Sequence, residues 1–141
     1  MAQDRIVVGV DGSPDSLNAL RWAAGYAKVT GLGLEVICAY DAAFPDPYSG
    51  TVLVQADEIE HIAKESLQHI LSEAELDGIN VEAVARAGHA PVVLLEAAKG
   101  ASLLVVGSRG HGALSSMLVG STSRAVLHHP PCPVVVVPPS S

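Results

Sequence analysis

Apolar residues follow two rhythms along this chain. Short β-branched or aliphatic runs alternate with longer stretches in which apolar positions recur every three or four residues. The first run, Arg5 to Asp11 (RIVVGVD), reads as a strand ending at Gly12. Ser13-Pro14 then supplies an N-cap and a proline at the first helical position. Leu17, Leu20, Ala24 and Ala27 follow at helical spacing, and Gly31 and Gly33 close the helix. Leu34 to Tyr40 (LEVICAY) predicts a second strand, and Asp41 to Thr51, rich in Pro, Asp and Gly, a loop.

Gln55 to Leu76 predicts a longer helix with Ile59, Ile62, Ala63, Ile70, Leu71 and Ala74 on one face, stopped by Gly78. Asn80 to Ala87 alternates as a third strand, and Gly88 breaks it. Pro91 starts a helix that runs through Lys99 and is capped by Gly100. Ser102 to Val106 is a fourth strand, followed by a Gly- and Ser-rich loop to about Gly120. A short helix, Ser121 to His128, leads through Pro130, Pro131 and Pro133 to a last strand, Val134 to Val137. Strands alternating with helices predict an α/β fold with a mostly parallel, doubly wound sheet. The near-continuous apolar runs suit strands buried on both faces.

Composition narrows this picture. A chain of 141 residues fits one domain, residues 1–141, and shows neither an internal repeat nor a second unit. With 49% hydrophobic and 16% charged residues it is too apolar for disorder. Eight Lys+Arg against fifteen Asp+Glu leave a net charge of -7, which argues against a nucleic-acid partner. No apolar stretch approaches the roughly 18 residues of a membrane helix, so no membrane partner is expected. The first residues lack the apolar core of a secretory signal, and a cytoplasmic location is the expectation. Cys38 and Cys132 both sit in β-like runs and read as buried free thiols, with no metal-type spacing.

In an open parallel sheet, ligands bind at the carboxyl ends of strands where the winding reverses. Given a strand order of 3-2-1-4-5, two segments would share that crevice. One is Asp11-Gly12-Ser13, which either contacts a ligand or only caps the first helix. The other is the run from Gly107 to Ser123, GSRGHGALSSMLVGSTS. Its glycines let backbone N–H groups approach a ligand closely. Gly120-Ser121-Thr122-Ser123 opens a helix whose free N–H groups and dipole suit an anion. Arg109 and His111 add local positive charge. This pattern points to phosphate binding. It is not a Walker loop, since no Gly-Lys-Ser/Thr occurs, nor a Rossmann fingerprint.

VGVDGS near the start, VVGSRGHGALSSMLVGSTS, and the ending VLHHPPCPVVVV make the chain resemble the universal stress protein family over essentially its full length. Gly107, Gly110, Gly120 and Ser121 fill the pattern G-x2-G-x9-G-(S/T) of that family's ATP-binding subgroup. The resemblance implies a five-stranded sheet of order 3-2-1-4-5 with ATP between the ends of strands one and four. It implies contacts from Val10, Asp11 and Gly12, with Asp11 near the ribose or near Mg2+ on the phosphates. Ala39 and Tyr40 would meet the adenine. Gly107, Ser108, Arg109, Gly110, His111 and Gly112, with Gly120, Ser121, Thr122 and Ser123, would hold ribose and phosphates. It further implies a homodimer paired through Val134, Val135, Val136 and Val137, and a downstream protein partner that it does not name. In such a sheet Cys38 and Cys132 lie on strands too far apart for a disulfide.

The residues favour binding over catalysis. Phosphoryl transfer needs metal, cationic stabilisation and an oriented nucleophile, and no residue stands out as a base. No catalytic residue is assigned. His111 is a candidate by position alone. His128-His129 reads as structural at a helix C-terminus, and His61, Glu65 and His69 as a solvated helix face. Trp22 and Phe44 read as packing residues. The leading expectation is a nucleotide-dependent regulatory protein of the stress response with slow or no hydrolysis. The alternatives are an ATPase or nucleotide hydrolase on the same fold, and a flavin or other nucleotide-cofactor domain.

Overall fold

A computed structural model describes residues 4–40, 56–108 and 120–139. Five strands, β1 (Arg5–Gly9), β2 (Gly33–Tyr40), β3 (Val81–Ala87), β4 (Leu103–Gly107) and β5 (Val134–Val137), form one sheet. Its order is β3-β2-β1-β4-β5, and every neighbouring pair is parallel. Four helices connect them: α1 (Pro14–Thr30), α2 (Ala56–Ser72), α3 (Ala90–Ala97) and α4 (Ser121–His128).

Strand alternation divides the apolar side chains between two cores. Ile6, Val8, Leu34, Val36 and Val105 meet the alanine-rich face of α1 and Leu67 and Ile70 of α2. Val7, Ile37, Leu104 and Val106 meet α3 and Val126 of α4 on the opposite face. The central strands β1 and β4 are buried on both sides, as their unbroken apolar runs predict. Helices therefore change face between β1 and β4, which opens a crevice at the carboxyl ends of those two strands.

Several predicted boundaries move. The second helix ends at Ser72, not Leu76, because turn bonds from Glu73 N–H to Ile70 and from Ala74 N–H to Leu71 carry the chain out of the helix. Its buried residues are Ala63, Leu67 and Ile70, while Ile62 is exposed. The first strand ends at Gly9, although Val10 N–H still donates to the Ile37 carbonyl at 2.9 Å. The last helix and last strand lie where the sequence places them.

Arg5 anchors the other end of β1. Its guanidinium donates to the Ala97 and Lys99 carbonyls at the end of α3 and pairs with Glu35 of β2 at 3.2 Å. Cys38 and Cys132 are free thiols, and Cys38 is buried on β2, as expected; Cys132 is only half-buried, against the expectation, because it lies outside the strand, just before β5 at the sheet edge. Trp22 is 39% exposed and stacks on Tyr26 at 5.3 Å, so it packs on a neighbouring ring at the surface and not in the core. Phe44 lies outside the described residues. No helix among the described residues is long and apolar enough to cross a membrane.

Candidate functional site

The crevice at the carboxyl ends of β1, β2 and β4 is a cleft open to solvent, with a cavity volume of about 110 Å³. Its walls differ in chemistry. Ile37 and Ala39 of β2, with Ala90 and Leu94 of α3, make an apolar wall on the β2 side. Asp11, Ser16 and the run from Gly120 to Ser123 make a polar wall around β1 and β4. No aromatic side chain is among the described residues that line the cleft.

The polar wall is built by local capping chemistry. Ser13 caps α1, its hydroxyl accepting the Ser16 N–H at 3.2 Å. Asp11 Oδ1 accepts the Ser13 N–H at 2.9 Å, and Ser16 Oγ accepts the Asp11 N–H at 3.2 Å. Gly12 has φ +85°, a conformation that permits this tight turn between strand and helix. Asp11 and Ser13 are thus caps, and Asp11 also reaches the cleft wall.

At the other side of the crevice, α4 starts at Gly120 with no side-chain cap. A helix leaves its first N–H groups without helical partners, and its dipole is positive at that end. Here that end forms part of the cleft wall. The Gly120 N–H bonds the Ser108 carbonyl, and the Ser123 hydroxyl bonds the Gly107 carbonyl. Ser108 is 4% exposed, and its hydroxyl has no hydrogen-bond partner among the described residues.

Of the sequence-predicted residues, Val10, Asp11, Ala39, Gly107, Gly120, Ser121, Thr122 and Ser123 line one cleft. Gly12 and Ser13 face a second hollow between α1 and α2, whose wall includes Cys38, Glu65 and His69. Tyr40 is half-buried beside the cleft, its carbonyl accepting the Gly88 N–H at 2.8 Å. Ser108 supports the wall from behind. Arg109, Gly110, His111 and Gly112 lie outside the described residues. Sequence reasoning missed Gly9, Ser16, Ile37 and Val106, which adjoin predicted elements, and Ala90 and Leu94 of α3. The one signal for Ala90 and Leu94 was the glycine and proline at the start of α3, which place that helix end at the same edge of the sheet.

Burial raises the thiol pKa of Cys38 above its ordinary value, and the nearby negative charge of Asp11 adds to the effect. Burial also raises that of Cys132, against an opposing influence from Arg5. Among the described residues, no group of three or more His, Cys, Asp or Glu side chains could hold a metal ion. His61 pairs with Glu65 and His69 with Glu73 along an exposed face of α2, as a solvated helix face should.

The sequence profile of the universal stress protein family matches residues 3–138. The chain belongs to that family. It is 38% identical over 138 residues to a universal stress protein of Mycolicibacterium smegmatis, covering 94% of this chain and 47% of the relative. A universal stress protein of Mycobacterium tuberculosis is 31% identical over 150 residues with the same coverages. The chain therefore spans about half the length of these curated relatives. A solved universal stress protein in complex with cAMP superposes with a TM-score of 0.75 at 25% identity, covering 99% of this chain and 100% of that one.

Proposed function

We propose that this universal stress protein binds ATP in the cleft and acts as a nucleotide-dependent regulator, with slow or no hydrolysis. The observation that carries the reading is the pairing, in one cleft, of an apolar wall with the uncapped start of α4. An adenine ring suits the wall of Ala39, Ala90 and Leu94, and phosphates suit the N–H groups of residues 121–123. The similar structure holding cAMP supports an adenine nucleotide as the ligand class. A net charge of -7 is no obstacle, because backbone donors bind an anion without net positive charge. Val10 and Asp11 flank the ribose, Gly12 shapes the turn that presents Asp11, and Tyr40 supports the adenine end. Gly107, Ser108, Arg109, Gly110, His111 and Gly112 complete the phosphate grip in this proposal, which rests for the last four on the glycine spacing alone.

Mg2+ fits as a companion of the phosphates. It commonly takes one or two carboxylates beside phosphate oxygens, and Asp11 supplies one carboxylate at the cleft wall. When bound, the ion would neutralise phosphate charge. Residues 1–141 act as one such nucleotide-binding unit in the cytoplasm, with no nucleic-acid or membrane partner.

The proposed assembly is a homodimer through β5. Pro133 and Val137 turn their carbonyls to β4, accepting from Leu104 and Ser108. Alternation then turns the main-chain groups of Val134 and Val136 outward, along an apolar open edge. Such an edge invites a second strand.

Titration of the purified protein with ATP, AMP and cAMP, with and without Mg2+, tests binding. Saturable binding with negligible multiple-turnover phosphate release is expected. Absence of nucleotide binding would sink the proposal. Sustained phosphate release that is lost in Asp11→Ala would favour the ATPase reading.

A further inference from the structure

The three consecutive hydroxyls at the start of α4 occupy different surroundings. Ser121 is exposed and Thr122 half-buried, whereas Ser123 is 2% exposed. The Ser123 hydroxyl donates to the Gly107 carbonyl at the end of β4. A serine hydroxyl has a single proton to donate. Spent on Gly107, that proton is not available to an anion in the cleft.

We infer that Ser123 is a positioning residue that fixes the first turn of α4 against the end of β4, so that the main-chain N–H groups of residues 121–123 aim at the phosphates. The inference rests on the nucleotide-binding reading above. It separates Ser123 from Ser121 and Thr122, which line the same cleft.

The bond has a fixed anchor. Pairing between β1 and β4 ends at Val8 and Val105, so the Gly107 carbonyl lies beyond that ladder. Gly107 itself is wedged, since a Cβ there would meet the Asp15 carbonyl oxygen at 2.8 Å. A second tie runs from the Gly120 N–H to the Ser108 carbonyl, and Ser108 N–H in turn donates to Val137 of β5 at 3.0 Å. One tie would hold the helix start in place but leave it free to pivot. Two ties, three residues apart along α4, also set its direction. Direction matters because hydrogen bonds weaken steeply as their angle falls. A ligand without phosphate rests on the apolar wall and does not sense that aim.

Dissociation constants for adenosine, AMP and ATP, measured on wild type, Ser123→Ala and Ser123→Thr, test the inference. Thermal unfolding of each variant is followed in parallel. Ser123→Ala should weaken AMP and ATP by about tenfold, the scale of one lost hydrogen bond. Adenosine should change by less than about twofold, within the scatter of such a comparison. Ser123→Thr, which keeps the hydroxyl, should restore AMP and ATP binding. Unchanged AMP and ATP binding by Ser123→Ala would overturn the inference while leaving the nucleotide reading intact. So would an equal loss for adenosine, or a threonine variant as weak as alanine. A wild-type protein that binds none of the three overturns the nucleotide reading and the inference with it.

Discussion

Gly107 lies against the main chain of Asp15: a Cβ added to Gly107 would stand 2.8 Å from the Asp15 carbonyl oxygen. The end of β4 thus touches the first turn of α1 at a point with no room for a side chain. The first glycine of the phosphate-binding pattern is needed for helix–strand packing, whatever it does for a ligand. Gly107→Ala should destabilise the fold by roughly 1–3 kcal/mol, the usual cost of overpacking. Gly9→Ala makes a control. Its Cβ would meet the Leu94 side chain at 2.6 Å, and a side chain can rotate away where a backbone cannot. Urea unfolding should rank Gly107→Ala as the more damaging of the two.

Arg5 should matter more than an ordinary surface arginine. It binds two carbonyls at the end of α3 and Glu35 on the adjacent strand, and its side chain is 20% exposed. Arg5→Met strands those acceptors and should cost roughly 1–2 kcal/mol in urea unfolding. Arg5→Lys should recover only part, since a single ammonium cannot reproduce the fork of donors.

Cys38 gives the protein a stability that depends on pH at the alkaline end. Its pKa is raised in the folded state by burial and then by Asp11. The folded protein therefore keeps the thiol proton to higher pH than the unfolded chain does. Its contribution is fully present below the ordinary thiol pKa and declines as pH rises from there through the folded value. The unfolding midpoint in urea should fall across that alkaline window in wild type, and fall less in Cys38→Ala. Thiol labelling at neutral pH should reach half-buried Cys132 before buried Cys38.

The proposed dimer has an equally specific test. Val136→Pro removes one outward N–H from the open edge of β5 without touching the bonds of Pro133 and Val137 to β4. Sedimentation should show a dimer for wild type and a monomer for this variant. A wild-type monomer, or a variant that still dimerises, would count against pairing through β5.

Much of this fold was legible because its signals are local. Gly120 and the prolines around Cys132 punctuate the chain sharply, and the helix and strand between them fall where predicted. Strand order followed from the alternation of strands and helices together with the family resemblance. The end of α2 was not legible: Ala74 and Leu76 continue the apolar rhythm of Leu71 after the helix stops at Ser72, because they still pack on the core. Leu94 entered the cleft wall by tertiary placement, since α3 crosses to β1 and β2 from the sheet edge. The contact of Gly107 with Asp15 leaves no mark in the sequence, because it is made by backbone. The different fates of Ser121 and Ser123 depend on which way the first turn of α4 faces, which a run of hydroxyls does not specify.

The central claim is that ATP occupies the cleft between the apolar wall and the start of α4. Main-chain amide NMR shifts on addition of ATP with Mg2+ test this most directly. The account predicts saturable shifts at Val10, Ala39, Ala90, Gly107 and Gly120 to Ser123, with Leu34 and Val81 at the far end of the sheet unmoved. Shifts confined to the second hollow around Glu65 and His69, or no saturable shifts at all, would contradict it.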